Sequence, residues 1–321
     1  MIVDFQHHYH PRSLHESALS KSLAINKTGK VPTYFAPDAL FDLDEHIRVM
    51  DLCGIDAAVL SSGLGMDGAP LELCRHVNGA MHDAVRRFPK RFFGLAHVPP
   101  LGGTESFDEL ARCAVELGFS GVVVTSEVEG LPLDAPELDP YWAECEKRDL
   151  YVFVHPALRP TTSPHLHAYD LVRSIGREFS LATTVVRLID GGVLDRFPNL
   201  KIQLGHLGGS FAVLMDRIRA FHQRERLGTA NDPINGRLPD RDIDHYTRER
   251  LYYDTAGVFG SMVAVKATLG EVPASQVVLG TDYPLELHTD DEMCKIVKDI
   301  AALGSDGDAI LSGSAKKLLK I

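Results

Sequence analysis

Only five of the 321 residues are cysteine, at Cys53, Cys74, Cys113, Cys145 and Cys294. None forms a CxxC pair, and their spacing outlines no framework. This excludes a disulfide-stapled scaffold or a zinc ribbon and leads to the expectation of free thiols in a reducing compartment. Tryptophan occurs once, as Trp142 in an expected helix, where packing is its simplest role. No apolar run reaches the ~18 residues that a membrane span needs, and no basic segment followed by an apolar one opens the chain. Positive charge is in deficit, with 33 Lys and Arg against 44 Asp and Glu and a net charge of -11. Such a surface repels nucleic acid and anionic membranes, so neither is expected as a partner. No Gly-rich dinucleotide fingerprint follows the first apolar run, and no linker or charge block divides the sequence. The expectation is one domain over residues 1–321, cytoplasmic and acting on a small molecule.

What is present is a rhythm. Short apolar runs of strand type alternate with amphipathic stretches of helical period. The runs are 2–8, 55–61, 91–98, 121–124, 150–155, 201–206, 251–254 and 277–282. Between them helices are expected over 44–52, 71–88, 106–117, 139–149, 180–190, 211–221 and 262–269. Two more follow at 291–303 and 308–320, the last broken at Gly313. Gly54 and Gly118 stand where helix C-caps are needed. The runs are apolar throughout rather than alternating, as strands of a parallel sheet covered on both faces are. Eight such units in a chain of this size predict a closed (β/α)8 TIM barrel, with a doubly wound open sheet as the alternative. The barrel is preferred because the polar residues at the strand ends come from runs far apart in sequence, and only closure makes the first and last strands neighbours.

Those strand ends carry the candidate chemistry. The first run passes through Gln6, His7, His8 and His10 before Pro11 stops it. In a regular strand Gln6, His8 and His10 share one face and His7 and Tyr9 the other. The fifth run ends in His155-Pro156, the sixth in Gly205-His206-Leu207-Gly208-Gly209, and the last in Gly280-Thr281-Asp282-Tyr283-Pro284. Taken singly, a histidine at a strand end is more often a packing or capping residue than a ligand, and Asp282 could cap a turn. Together, imidazoles and one carboxylate at one mouth of one barrel suit a borderline divalent cation: zinc first, then manganese or iron.

The sequence also resembles a family. Asp4, His8 and Pro11 fall in register with the opening Asp-x-His-x-His-x-x-Pro of the amidohydrolase superfamily, in the branch named for aminocarboxymuconate-semialdehyde decarboxylase. The likeness continues through 88–95, 117–122, 153–156, 191–201, the Gly-His-x-Gly-Gly stretch and 280–284. It implies a (β/α)8 barrel with one metal ion. His8 and His155 would be ligands, Asp282 a ligand that also shuttles protons, and His206 an acid/base or a substrate contact. Gln6 occupies the place of the pattern's first histidine. Three arrangements follow: Gln6 ligates or orients a metal-bound water; His10 joins His8; or the metal is weak or absent and the imidazoles act electrostatically.

Three readings follow, the first two implied by the branch and the third from another class. The first is nonoxidative decarboxylation of an unsaturated or aromatic carboxylic acid, with His206 or Asp282 protonating the carbon that loses carbon dioxide. The second is hydrolysis of a lactone or ring-cleavage product by water aimed by His206. The third is a noncatalytic barrel, which the replaced histidine would suit. Arg159, four residues past His155, and His10 are candidate contacts for a substrate carboxylate. His165 and His167 are candidate rim residues and Asp254 a candidate hydrogen-bond partner of a ligand, while Glu286 and His288 carry no assigned role. The long polar segment from Pro11 to Asp38, with Lys21, Lys27, Lys30 and Tyr34, is a candidate pocket cover. A homodimer is expected as the commonest assembly.

Overall fold

The computed structural model describes residues 1–16, 37–63, 68–231, 236 and 238–319. The candidate pocket cover, with Lys21, Lys27, Lys30 and Tyr34, lies outside the described residues apart from its two ends. Strands β1 (Val3–His8), β2 (Ala57–Ser61), β3 (Phe92–Ala96) and β4 (Gly121–Thr125) come first. A small antiparallel hairpin, β5 (Glu127–Val128) with β6 (Leu131–Pro132), follows. Then come β7 (Tyr151–His155), β8 (Lys201–Leu204), β9 (Leu251–Asp254) and β10 (Val277–Val278). The eight long-range strands pair in parallel in the order β1-β2-β3-β4-β7-β8-β9-β10.

Closure is visible in the backbone. Phe5 N–H donates to Leu279 O at 2.7 Å, Asp282 N–H to Gln6 O at 2.9 Å and His8 N–H to Tyr283 O at 2.8 Å. The first and last strands are therefore neighbours, as a TIM barrel requires and a doubly wound sheet does not allow. Between the strands run helices α1 (Leu43–Cys53), α2 (Leu71–Arg87), α3 (Gly103–Val115), α4 (Asp139–Lys147), α5 (Arg177–Asp190), α6 (Met215–His222), α7 (Met262–Glu271) and α8 (Asp290–Ala301). Their limits are chemical. Asp42 caps α1 by accepting from the N–H groups of Asp44 and Glu45, and Gly54 ends it at φ 75°, where a Cβ would be strained. Thr289 and Glu292 form a capping box at the start of α8. The expected last helix is two short ones, Ser305–Asp308 and Ala315–Leu319, joined by a π-turn over Ala309–Gly313.

Apolar side chains fill both sides of the sheet. Inside the barrel, Val3, Phe5, Val59, Leu95, Tyr151 and Phe153 pack together, and Leu318 and Leu319 from the C-terminal helix join them. Outside, the strands' other faces meet the helices in one continuous core. Beyond this packing, the pairing of β1 with β2 shifts register between Asp4 and His7. Phe5 can then pack inside against Tyr151 while Gln6 and His8 also reach the interior mouth and His7 turns outward to His46. Strict alternation, as read from the sequence, does not produce this. A local irregularity re-aims side chains in this way at many functional strand ends.

The cysteine expectation is corrected. Cys53 and Cys294 form a disulfide across a sequence separation of 241 residues, and Cys74, Cys113 and Cys145 are buried free thiols. Barrel closure sets α1 beside α8, and no local spacing announces that contact. No helix among the described residues is long and apolar enough to cross a membrane.

One buried histidine makes the fold acid-sensitive. His97 donates Nδ1–H to Leu95 O at 3.1 Å and accepts the Ser62 N–H on Nε2 at 3.0 Å, a neutral tautomer held at both nitrogens. Burial lowers its pKa to about 3, against a partial offset from the Leu95 carbonyl. The unfolded chain, with an ordinary histidine, binds the proton more readily. Stability from this site is thus complete above pH ~6.5 and is lost as pH falls through that value toward the folded pKa, at up to about 1.4 kcal/mol per pH unit. We expect urea midpoints of His97→Gln to fall less steeply with acid over this window than those of the wild type. Parallel curves would contradict the assignment.

Candidate metal centre and active site

Five side chains gather at the C-terminal mouth of the barrel because the four strands that carry or precede them end there. His8 closes β1, and His155 closes β7. His206 follows β8 by two residues, Asp282 follows β10, and Gln6 lies within β1. Gln6 and His8 are fully buried, and His155 and His206 nearly so.

Each histidine is fixed through one ring nitrogen. His8 Nδ1 faces Ser61, at 3.1 Å from Oγ and 3.4 Å from the carbonyl. His155 Nδ1–H donates to Pro156 O at 2.8 Å. Their remaining nitrogens face inward. His8 Nε2 lies 2.6 Å from Asp282 Oδ1, yet both atoms are buried and neither makes a properly directed hydrogen bond. Ligand atoms of His8, His155 and Asp282 lie within 4.8 Å of one another, the one such group among the described residues able to hold a metal ion. Two orphaned buried donor atoms aimed at a common point, with the second imidazole, His155, alongside, fit a divalent cation better than they fit one another. The fixed Nδ1 atoms are the outer hydrogen bonds that orient ligating imidazoles.

Charge is distributed to match. Burial, reinforced by the charge of His8, holds the His155 pKa well below the ordinary histidine range, so it is neutral and able to ligate. Burial alone would raise the Asp282 carboxyl, but the charge of His8, then that of His206 and His155, outweighs it and holds it below the ordinary range.

His206 belongs to a second group. Its backbone adopts φ 53° and its N–H donates to Asp254 Oδ1 at 3.1 Å, while Asp254 Oδ2 accepts from Gln203 Nε2 at 2.8 Å. Its Nδ1 pairs with Glu178 Oε1 of α5 at 2.8 Å. Burial would lower its pKa, but Glu178, by charge and hydrogen bond, helped by Asp282 and Glu286, raises it to about 9. Gly257 packs against the ring so closely that a Cβ there would stand 1.9 Å from His206 Cγ. Glu286 accepts hydrogen bonds from the N–H groups of Gly257 and Phe259 and so holds that loop; burial first, then Asp282, push its carboxyl up to about 8. Gln6 Nε2 lies 3.3 Å from His206 Nε2, and Gln6 Oε1 is buried without a hydrogen-bond partner.

These side chains border a recess of about 490 Å³, within the range of small-molecule sites. His155, His206 and Asp282 form its floor, with Arg173, Arg177 and Phe259 among its walls. A second, more apolar recess that includes Val98, Val123, Val124 and Val128 meets it at His155.

Of the candidates read from the sequence, the structure brings together His8, His155 and Asp282, with His206 and Gln6 beside them. His10 is buried outside that group, its Nδ1 2.8 Å from Ser62 Oγ. Arg159 is exposed and does not border the recess, whereas Arg173 and Arg177 do. His165 and His167 are exposed, and His165 borders a different recess. Asp254 bonds the backbone of His206 rather than a ligand side chain.

Other residues were missed. Glu178 sits just before the point where its helix was expected to start. Glu286 had no assigned role. Asp4 accepts from Thr281 N–H at 3.1 Å, from Thr281 Oγ–H at 2.5 Å and from His7 Nδ1 at 2.9 Å, while His7 Nε2 lies 3.0 Å from His46 Nδ1. This fully buried chain clamps the strand bearing His8 to the residue preceding Asp282. Asp4 had two signals in the sequence, its register with the opening family pattern and a carboxylate inside the apolar run Val3-Asp4-Phe5, but neither announced the clamp.

Comparisons with known proteins agree with this geometry. The family model described as amidohydrolase matches residues 4–321. The chain is 31% identical over 288 residues to 2-amino-3-carboxymuconate-6-semialdehyde decarboxylase of Dictyostelium discoideum, covering 87% of this chain and 77% of the relative. It is 29% identical over 293 residues to gamma-resorcylate decarboxylase of Rhizobium radiobacter, covering 84% and 88%. Among solved structures, a 5-carboxyvanillate decarboxylase of Novosphingobium aromaticivorans with manganese superposes with a TM-score of 0.84 at 23% identity, covering 100% of this chain and 96% of that one. A dihydroxybenzoic acid decarboxylase of Polaromonas with manganese and 2-nitroresorcinol gives 0.79 at 25% identity, covering 99% and 96%.

The role of Glu178 can be checked directly. In the metal-free protein, Glu178→Gln is expected to lower the pKa of His206 by at least about one unit in a histidine NMR titration, since the main group raising it is gone. An unchanged value would contradict the pairing.

With a fold closed by its first and last strands, imidazoles and a carboxylate at its mouth, and a family model matched over nearly its whole length, the chain belongs to the amidohydrolase family, among relatives that are carboxy-lyases.

Proposed function

We propose that the protein is a metal-dependent nonoxidative decarboxylase of an aromatic or unsaturated carboxylic acid. The observation that carries this is the His8–Asp282 pair, two buried donors 2.6 Å apart without a directed hydrogen bond, with His155 beside them. His8, His155 and Asp282 would hold the cation, and Gln6 supplies a neutral oxygen nearby. Manganese is the first ion to try, since two of the similar structures contain it, ahead of the zinc expected from the donor set. When bound, the ion supplies Lewis-acid polarisation of substrate oxygens next to the reacting carbon.

The chain's own residues do the rest. Decarboxylation breaks the bond between the carboxylate and a ring or vinylic carbon, and one proton must replace the carbon dioxide lost. His206 would bring it: Glu178 favours its protonated form, and its side chain borders the recess. Asp282, at the same floor, is the second candidate donor. Arg177, which lines the recess and donates Nη2–H to Leu158 O at 3.3 Å, would orient the acid, the role first given to Arg159 and His10. The more apolar recess beside His155 would take an uncharged edge of the substrate.

The test is a panel of single-ring 2-hydroxybenzoic acids with manganese-loaded protein, read by carbon dioxide release. At least one acid is expected to lose one carbon dioxide per molecule, and His206→Asn to lower kcat by about 10²–10⁴-fold. His155→Ala and Asp282→Ala should lose the metal as well. Turnover of a lactone with acid release, and none of any carboxylic acid, would favour hydrolysis instead. Unchanged metal content in both alanine variants would favour a noncatalytic barrel. We also propose a homodimer, since Val213, Leu214, Phe221 and Val263 are exposed apolar surface that a second copy would cover; sedimentation showing only monomer would overturn it.

A further inference from the structure

The donor set around the cation site carries little negative charge. His8 and His155 contribute neutral imidazole nitrogens when they ligate, and Asp282 contributes one carboxylate. Gln6 is fully buried at the same mouth, its Oε1 without a hydrogen-bond partner and its Nε2 3.3 Å from His206 Nε2. It is also confined: Oε1 lies 3.1 Å from where a Cβ on Gly205 would be. Whichever end of the amide faces the cation, it brings no charge.

The other charged groups at the site are already engaged. Glu178 Oε1 is on His206, and Glu286 is on the N–H groups of Gly257 and Phe259. Asp254 takes N–H groups from Gln203, His206 and Ala256. Asp170 pairs with Arg173, and Arg177 adds positive charge to the wall. A divalent cation held by His8, His155 and Asp282 thus receives one negative charge from its own donors, and about one positive charge is left for a further anionic ligand to balance.

We propose that Gln6 makes cation and substrate binding mutually dependent: the protein binds its metal loosely alone and tightly once an anionic, oxygen-rich acid completes the charge. The inference rests on the metal-dependent decarboxylase reading and adds to it what the site selects for, a substrate that brings at least one negative charge to the cation. Reciprocity follows from linkage: the factor by which the acid tightens the cation equals the factor by which the cation tightens the acid. A carboxylate at position 6 would supply the missing charge from the protein and uncouple the two.

The experiment titrates Mn2+ into metal-free full-length protein and follows free Mn2+ by electron paramagnetic resonance, with and without 2-nitroresorcinol, an anionic oxygen chelator that has no carboxylate to lose. In the wild type, 2-nitroresorcinol should lower the Mn2+ Kd by about tenfold or more. In Gln6→Glu, Mn2+ alone should bind about tenfold more tightly than in the wild type, and the gain from 2-nitroresorcinol should shrink to about threefold or less. An Mn2+ Kd in the wild type that does not change with 2-nitroresorcinol overturns the proposal, and this arm stands even if Gln6→Glu does not fold. His155→Ala separates the two levels. If it abolishes Mn2+ binding while the wild type shows no coupling, the metal site survives and the coupling falls. If it binds Mn2+ as the wild type does, the site assignment falls and the coupling with it.

Discussion

The structure turns on the meeting of the first strand with the last. Four backbone hydrogen bonds join β1 to the segment 279–283, and the same juxtaposition sets His8 Nε2 2.6 Å from Asp282 Oδ1. Barrel closure and site assembly are thus one event. Asp4 reinforces it from behind, binding Thr281 through both its N–H and its hydroxyl and reaching His46 of α1 through His7. Removing one member of a buried charged or hydrogen-bonded pair typically costs about 3–5 kcal/mol, so this clamp is a stability element as well as a positioning one. The Cys53–Cys294 disulfide ties α1 to α8 across the same seam.

Around that seam, two groups of side chains divide the work. His8, His155 and Asp282 gather ligand atoms at one point, those of His8 and Asp282 unsatisfied, and the Nδ1 atoms of His8 and His155 are tied back by Ser61 and Pro156. His206 is held by Glu178, by the backbone bond to Asp254 and by the close approach of Gly257, and none of these involves the other group. Gln6 is the physical link, with its amide between His206 and the interior. One group is built to hold positive charge and the other to hold a proton, an arrangement suited to removing carbon dioxide from an acid and replacing it with hydrogen.

Much of this was legible in the sequence because it is local. Apolar runs ending in His155 and Asp282 mark strands by composition, and the end of a barrel strand is where chemistry sits. Gly54 marks a helix end because only glycine takes φ 75° without strain. What was not legible depends on tertiary contact. The register shift in β1 admits Phe5, Gln6 and His8 together to the interior, and no period-two reading contains it. Glu178 reaches His206 from a helix 28 residues earlier, and Asp4 reaches Thr281 over 277 residues. Arg177 rather than Arg159 lines the recess because the chain after β7 turns away before returning into α5. The disulfide between two cysteines without any pairing pattern is the same kind of case: sequence spacing is silent about partners that only closure brings together.

The central claim is that one cation belongs between the first, fifth and last barrel strands. Anomalous diffraction from crystals of the protein soaked in Mn2+ tests it most directly. The account predicts a single strong peak within coordination distance of His8 Nε2, His155 and Asp282 Oδ1. A map with no peak there, or with the ion bound elsewhere in the chain, would contradict it.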